Sequence, residues 1–217
     1  MKKFIYAVLF SLSATLLFGQ EDPSAKDLLN KVSQRYETYR TLRSDFTLLI
    51  KDVEGKSYTN SGTLLLNKPA NQYRISLANE DILSDGKSVW NITKELKEVQ
   101  VTIAEEKSTT IGPNNLFTFY QTGYKYVSMP DEKISKDSKT EMLKVIELSP
   151  LDTKNNYFKI KLRINKNNHI HDITIFDKSG NRYTYTIHTL YVNHPIAKSN
   201  FEFKKEQYKG FEIVDLR

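Results

Sequence analysis

The residues that could do chemistry are few, and their spacing does not match a catalytic or metal site. Four histidines are present, at positions 169, 171, 188 and 194. His169 and His171 would share one face of a β-strand and could provide two ligands to zinc. A structural zinc site needs four ligands, and the chain has no cysteine and no third ligand at a suitable spacing. We therefore interpret both histidines as polar strand residues and predict no metal site.

The stretch SDGK at residues 84–87 also combines residue types that enzymes use. A tight turn explains it, because Asp-Gly is favoured in two-residue type I′ turns, where both central positions need a positive φ. His188 and Asp177 could be combined with a serine, but no serine has the spacing of a nucleophile elbow. None of the eight glycines belongs to a phosphate-binding loop. We predict a protein that is not an enzyme, with no catalytic residues and no cofactor.

The N-terminus has the pattern of an export signal. Two lysines precede an apolar stretch at residues 4–18, and polar sequence begins directly after Gly19 and Gln20. A transmembrane helix needs about 20 apolar residues, and this stretch is shorter and contains serines and a threonine. A membrane anchor is the alternative, but the pattern favours a cleavable signal peptide over residues 1–20, cut after Gly19 or Gln20.

The composition predicts a single exported domain at residues 21–217. Hydrophobic residues make up 39% of the chain, which is enough for one core. Because there is no cysteine, disulfides and a lipidated cysteine are excluded, and the core alone must hold the fold together. The net charge is +6, but basic and acidic residues are interspersed, as in residues 94–98. A nucleic-acid binder would concentrate its basic residues on one face, so we expect no nucleic-acid partner.

Two segments have apolar residues at helical spacing. Residues 24–39 form a single apolar stripe, with Ser24 as the predicted N-cap and Asp27 completing a capping box. A second, short helix is predicted at residues 114–120, after a Gly-Pro-Asn sequence that resembles a helix start. Each helix has one apolar side and must therefore lie on an apolar surface.

Elsewhere the hydrophobic period is two, which is typical of strands with one buried face. The alternation is clearest at residues 158–164, and short polar turns separate ten or eleven such strands, with residues 128–139 as a polar connection. Since no helix separates consecutive strands, we predict a mainly β fold, an antiparallel meander that curls. The two helices would then lie over its open mouth or inside its concave face. They either close an ordinary core or form lids over an apolar cavity, and composition alone does not choose.

The order of several motifs resembles the periplasmic outer-membrane lipoprotein carrier family, LolA. The resemblance covers essentially all of the chain after the signal segment, and the order and spacing of the motifs make it specific. The similar stretches are LRSDFTLLI at 42–50, GTLLLNKP at 62–69, QYRI at 72–75, ILSDGKSVW at 82–90, NNHIHDITIFD at 167–177 and KSNFEFKKEQYKGFEIVD at 198–215.

The resemblance implies an unclosed antiparallel β-barrel with a helical lid and the function of a periplasmic carrier. Such a carrier takes the acyl chains of lipoproteins that an inner-membrane LolCDE-type ABC transporter releases, and passes the lipoprotein to an acceptor at the outer membrane. We expect a monomer. The rival hypotheses are a relative that carries another lipid or a pigment, and a sensor of mislocalised lipoproteins that uses the same fold.

The predicted cavity is lined by apolar residues of the strands and of the second helix. They are Phe46, Leu48, Leu64, Leu66, Tyr73, Ile75, Trp90, Val99, Val101, Leu116, Phe117 and Phe119. In the family, a basic residue before the strand-ending proline latches the lid through hydrogen bonds. Here Lys68 has that position, where arginine is the familiar choice, and a solvated lysine at the rim is the alternative. Lysine lacks the planar fork of arginine.

Overall fold

The structure, a computed structural model, describes residues 22–104, 111, 115–136 and 139–217. The predicted signal peptide and the start of the predicted second helix lie outside the described residues. None of the helices in the described part is long and apolar enough to span a membrane.

The described residues contain one α-helix, α1, which runs from Pro23 to Glu37 and has Asp22 as its N-cap. The Asp22 carboxylate accepts hydrogen bonds from the backbone amides of Ser24, at 2.9 Å, and Ala25, at 3.2 Å. The predicted capping box is therefore wrong: Ser24 lies inside the helix, and Asp27 pairs with Lys31 one turn later. A proline at the first helical position has no amide to satisfy, so the cap moves to the residue before it.

Thirteen strands form one sheet in the described part of the chain. They are β1 (Thr41–Lys51), β2 (Ser57–Asn67), β3 (Gln72–Leu77), β4 (Glu80–Ser84), β5 (Ser88–Thr93), β6 (Glu98–Ile103), β7 (Tyr124–Lys136), β8 (Lys139–Pro150), β9 (Tyr157–Ile164), β10 (Ile170–Asp177), β11 (Arg182–Ile187), β12 (Tyr191–Val192) and β13 (Glu212–Asp215).

The strand order is β13-β6-β5-β4-β3-β2-β1-β11-β10-β9-β8-β7, with the short β12 paired to β1. The terminal strands β13 and β7 do not pair with each other, so the sheet is open. Neighbouring strands are antiparallel except β13, which runs parallel to β6. The predicted unclosed, mainly antiparallel β-fold with a helical lid is confirmed, with more strands than the ten or eleven predicted.

The predicted polar connection at residues 128–139 is wrong, because β7 and β8 extend through most of it as a long hairpin. Its side chains pair as charges rather than as apolar residues. Lys144 contacts Asp131 at 2.8 Å, and Glu132 contacts Arg163 of β9 at 3.3 Å. Strands that are stabilised by cross-strand ion pairs do not show the apolar alternation from which strands are predicted.

The concave face of the sheet holds the main core, and α1 lies over one end of it. Tyr36 of α1 is 2% exposed and packs in this core with Leu42 and Leu66 of the central strands. A smaller apolar cluster of Ile92 and its neighbours lies elsewhere, under the C-terminal segment. α1 thus covers the concave face, and the C-terminal segment covers the opposite face at β5 and β6.

The connection between β4 and β5 has three residues and is not the predicted type I′ turn. Gly86 has a φ of +93°, whereas Asp85 is not among the residues with positive φ. The Asp85 carboxylate accepts hydrogen bonds from the amides of Lys87 and Ser88, both at 2.8 Å. An aspartate side chain that binds the backbone two and three residues ahead stabilises this turn without a second residue of positive φ.

Gly86 provides a test of how tightly this loop packs. A Cβ there would meet the carbonyl oxygen of Ala70 far inside van der Waals contact, whereas Gly55, with a similar φ of +83°, has open space around it. We expect Gly86→Ala to lower the free energy of unfolding by about 3 kcal/mol, from backbone strain and overpacking together. Gly55→Ala introduces only the backbone strain, so the free energy of unfolding should fall by about 1 kcal/mol. Urea titrations measure both, and equal losses would contradict the close packing against Ala70.

Candidate functional site

An apolar cavity of about 220 Å³ lies in the concave face of the sheet. It is larger than the roughly 150 Å³ apolar cavity that binds benzene in an engineered protein, so it can hold part of a hydrocarbon chain. Its lining consists of Ser44, Phe46, Leu64, Ile75, Ile82, Ile111, Leu116, Phe117, Ile173, Ile175, Tyr185 and Ile187.

Strand register places these side chains on one surface. Ser44 pairs with Leu64, Leu64 pairs with Ile75, and Ile75 pairs with Ile82, which forms a row across β1 to β4. Directly paired residues point to the same face, and residues two apart on a strand do the same. Phe46 therefore begins the next row.

That next row continues into the other half of the sheet. Phe46 pairs with Ile187 of β11. Tyr185, two residues before Ile187 on the same face, lies in the following row and pairs with Ile173 of β10. Because β1 pairs with both β2 and β11, it joins strands that are far apart in sequence. The cavity wall thus needs both halves of the chain.

A loop with little regular structure covers the cavity where a second helix was predicted. Residues 115–118 form a turn, and only Phe119–Gln121 forms a short 3-10 helix. The ring of Phe117 stacks on that of Tyr36, with the centroids 4.3 Å apart. Phe117 also separates the cavity from a void of about 30 Å³ beneath α1, which Leu66 and Lys68 help to line. Loop and helix therefore meet as one lid.

Aromatic hydroxyls fasten α1 to the sheet. The Tyr36 hydroxyl accepts a hydrogen bond from the backbone amide of Ile170 at 3.2 Å, and the Tyr39 hydroxyl lies 2.6 Å from Nε2 of His169. Burial, with a further contribution from Arg35, lowers the pKa of His169, so the neutral imidazole is favoured beside Tyr39.

Lys68 provides a third attachment of the lid. Its Nζ donates a hydrogen bond to the backbone carbonyl of Tyr36 at 2.9 Å, near the C-terminal end of α1. A cation is favoured there, because the last carbonyl groups of a helix carry partial negative charge. Burial lowers the pKa of Lys68, and Glu37 acts in the opposite direction. The predicted contact between Lys68 and the lid is present, and its role as a latch stays a prediction.

The predicted cavity residues do not all line the cavity. Phe46, Leu64, Ile75, Leu116 and Phe117 line the cavity, and Leu66 lines the void beneath α1. Tyr73 and Phe119 are buried in the same core without lining the cavity. Leu48 is half-buried and pairs with Tyr185, just beyond the lining.

Trp90, Val99 and Val101 do not line the cavity, and their assignment to it is wrong. They pack in the second apolar cluster with Phe203, whose ring stacks on Trp90 at a centroid distance of 5.3 Å. On β5, side chains alternate between faces, so Val89 packs in the main core while Trp90 points to the other face. The C-terminal segment gives that other face an apolar cover, which alternation within β5 and β6 does not predict.

The cavity residues that sequence reasoning missed are Ser44, Ile82, Ile111 and those on the late strands. Ile173, Ile175, Tyr185 and Ile187 belong to β10 and β11, where alternating apolar residues predict strands but do not show that they face this cavity. The missing information was the pairing of β11 with β1. A pairing between strands so distant in sequence leaves no local pattern.

The histidines make separate contacts. His169 contacts Tyr39, His171 lies 2.5 Å from the Asp172 carboxylate, and His188 lies 3.1 Å from the Thr47 hydroxyl. A register shift between β9 and β10 falls between Ile170 and Asp172, so His169 and His171 are not partners on one regular strand face. Among the described residues no group of three or more potential metal ligands is found.

Trp90 reports on the second cluster because it is the only tryptophan. We expect its fluorescence emission to stay unchanged when palmitate is titrated into the protein, since the cavity lies on the other face of the sheet. Phe203→Ala removes the stacked ring and should shift the emission to longer wavelength without any ligand. A shift on palmitate addition to the unmutated protein would contradict this placement.

Three comparisons relate this chain to known proteins. The family model for outer membrane lipoprotein carrier protein LolA matches residues 37–204. An outer-membrane lipoprotein carrier protein of Histophilus somni is 24% identical, over 100% of this chain and 99% of its own length.

An uncharacterized conserved protein of Thermus thermophilus has a similar fold, with a TM-score of 0.53, 10% identity and coverage of 88% of this chain and 99% of its own. A LolA superfamily protein of Nitrosomonas europaea has a TM-score of 0.45, 14% identity and coverage of 82% and 97%. Because the family model covers most of the sequence, the chain belongs to the LolA family of outer membrane lipoprotein carrier proteins.

Proposed function

We propose that this protein is a periplasmic carrier that shields the acyl chains of lipoproteins and ferries them from the inner to the outer membrane. The observation that supports this most directly is an apolar cavity of about 220 Å³ beneath a lid that belongs to two separate segments. Membership of the lipoprotein carrier family supports the same class of cargo. On this proposal, the protein receives its cargo from a LolCDE-type ABC transporter and acts without covalent chemistry.

Release is the harder step for such a carrier. Each buried CH₂ group contributes roughly 0.8 kcal/mol, so a dry apolar cavity holds a long acyl chain strongly. A lid that closes well over the empty cavity competes with the cargo and lowers the net affinity. In this protein the stack of Phe117 on Tyr36 and the hydrogen bond from Lys68 both favour the closed, empty form.

The cargo is tested by capture of a synthetic palmitoylated lipopeptide on the purified protein. Phe46 lines the cavity, whereas Leu49 lies on the same strand, faces the other side and is 39% exposed. We expect Phe46→Glu to weaken lipopeptide binding at least tenfold, because an ionised carboxylate replaces a half-buried ring. Leu49→Glu is the matched control and should bind as the unmutated protein does.

The lipids that co-purify with the exported protein distinguish the rival hypotheses. Recovery of lipoproteins supports the carrier of lipoproteins. Recovery of only free lipid or pigment, together with no capture of the lipopeptide, would reject lipoproteins as cargo and favour a carrier of another lipid. Binding of lipoproteins without transfer to outer-membrane vesicles would favour a sensor of mislocalised lipoproteins.

The latch is tested at Lys68. Lys68→Met keeps the aliphatic stem and removes the hydrogen bond to Tyr36, so the closed, empty form loses about 1 kcal/mol for this partly exposed charged contact. We expect lipopeptide affinity to rise about fivefold and dissociation to slow. Lys166, an exposed lysine in the turn before β10, is the control, as Lys166→Met. Equal dissociation rates for the three proteins would show that Lys68 is only a rim lysine.

A further inference from the structure

Ser44 is a polar residue in an otherwise apolar part of the cavity wall. It is 2% exposed, and its Oγ is buried and has no hydrogen-bond partner within the described residues. Its neighbours on the same face of β1 are Leu42 and Phe46, and its cross-strand partner is Leu64. A hydroxyl in these surroundings bears its full cost of desolvation, so its lack of a partner needs an explanation.

The other buried serines in the described part of the chain all have partners. The Ser33 hydroxyl lies 3.4 Å from the Tyr120 hydroxyl, and the Ser84 hydroxyl accepts from the Gly86 amide at 3.1 Å. The Ser88 hydroxyl accepts from Arg217 at 3.1 Å. Among the residues that the structure describes, only Ser44 both lacks a partner and lines the cavity. A donor left open at this position is suited to an acceptor that arrives with a ligand.

The position of Ser44 indicates which part of the ligand would meet it. Its row in the sheet lies directly beside the row of Leu42 and Leu66, which line the void beneath α1 together with Lys68. The cavity and this void are separated by Phe117, which borders both. Displacement of Phe117 would join them, and a chain that enters from the side of the lid would pass Ser44 before it reaches Tyr185.

We propose that the Ser44 hydroxyl donates a hydrogen bond to the carbonyl oxygen of a bound acyl group and so fixes the direction of the chain. The ester or amide carbonyl lies beside Ser44 under the lid, and the methyl end lies towards Tyr185 and Ile175. This inference rests on the proposed carrier function, and it assigns to the cavity a preference for acyl chains over alkyl chains of equal length. An ether-linked alkyl chain has no carbonyl and leaves the hydroxyl unpaired.

The test compares two lipopeptides that differ only in the linkage of their C16 chains, ester or ether. We expect the unmutated protein to bind the ester form about fivefold more tightly, which corresponds to one net hydrogen bond. Ser44→Ala should remove this preference. Ser44→Cys, which has a similar volume but is a weak donor, should also lose most of it. Ser61→Ala changes an exposed serine of β2 and should keep the preference of the unmutated protein.

Thermal unfolding of each variant shows whether the fold is intact, and binding of the ether form shows whether the cavity still accepts a chain. An equal affinity of the unmutated protein for both lipopeptides would overturn the role of Ser44, and so would an ester preference that survives in Ser44→Ala. Those two results leave the carrier function standing. Failure of the unmutated protein to bind either lipopeptide would instead overturn the carrier function and this inference together.

Discussion

The cavity depends on the pairing of β1 with two strands that lie far apart in the sequence. On one side β1 pairs with β2 through a short turn, and on the other side it pairs with β11, more than 130 residues later. This second pairing joins the two halves of the sheet into one concave surface. Loop closure over such a distance has an entropic cost, which burial of the apolar face on both sides of β1 must offset.

The same pairing creates a surface that strands alone cannot cover. The terminal strands do not pair with each other, so the concave face stays open and needs α1 and the loop around Phe117 as a cover. The cover is held by a few directional contacts from Tyr36, Tyr39 and Lys68. α1 also buries Ala25, Leu29 and Val32 in the main core, so opening the cover costs apolar burial as well as these contacts, and an apolar ligand must offset both.

The sequence predicted α1, most of the strands and the open, mainly β fold, because each of these leaves a local period in the chain. It failed at residues 128–136 of β7, a polar stretch in which Asp131 and Glu132 form ion pairs with Lys144 and Arg163 of the neighbouring strands. It also failed at Trp90. An apolar side chain on a strand shows that one face is buried, but not against which part of the protein.

The alternation of residues fixed which side chains share a face, and the motifs fixed the family. Only the tertiary structure decided which face became the cavity and which was covered by the C-terminal segment, so that Phe46 lines the cavity and Trp90 stacks on Phe203. It also brought Tyr185 and Ile187 opposite β1 and left the Ser44 hydroxyl without a partner. The physical reason is that a period of two is a property of one strand, whereas a cavity wall is a property of pairings between distant strands.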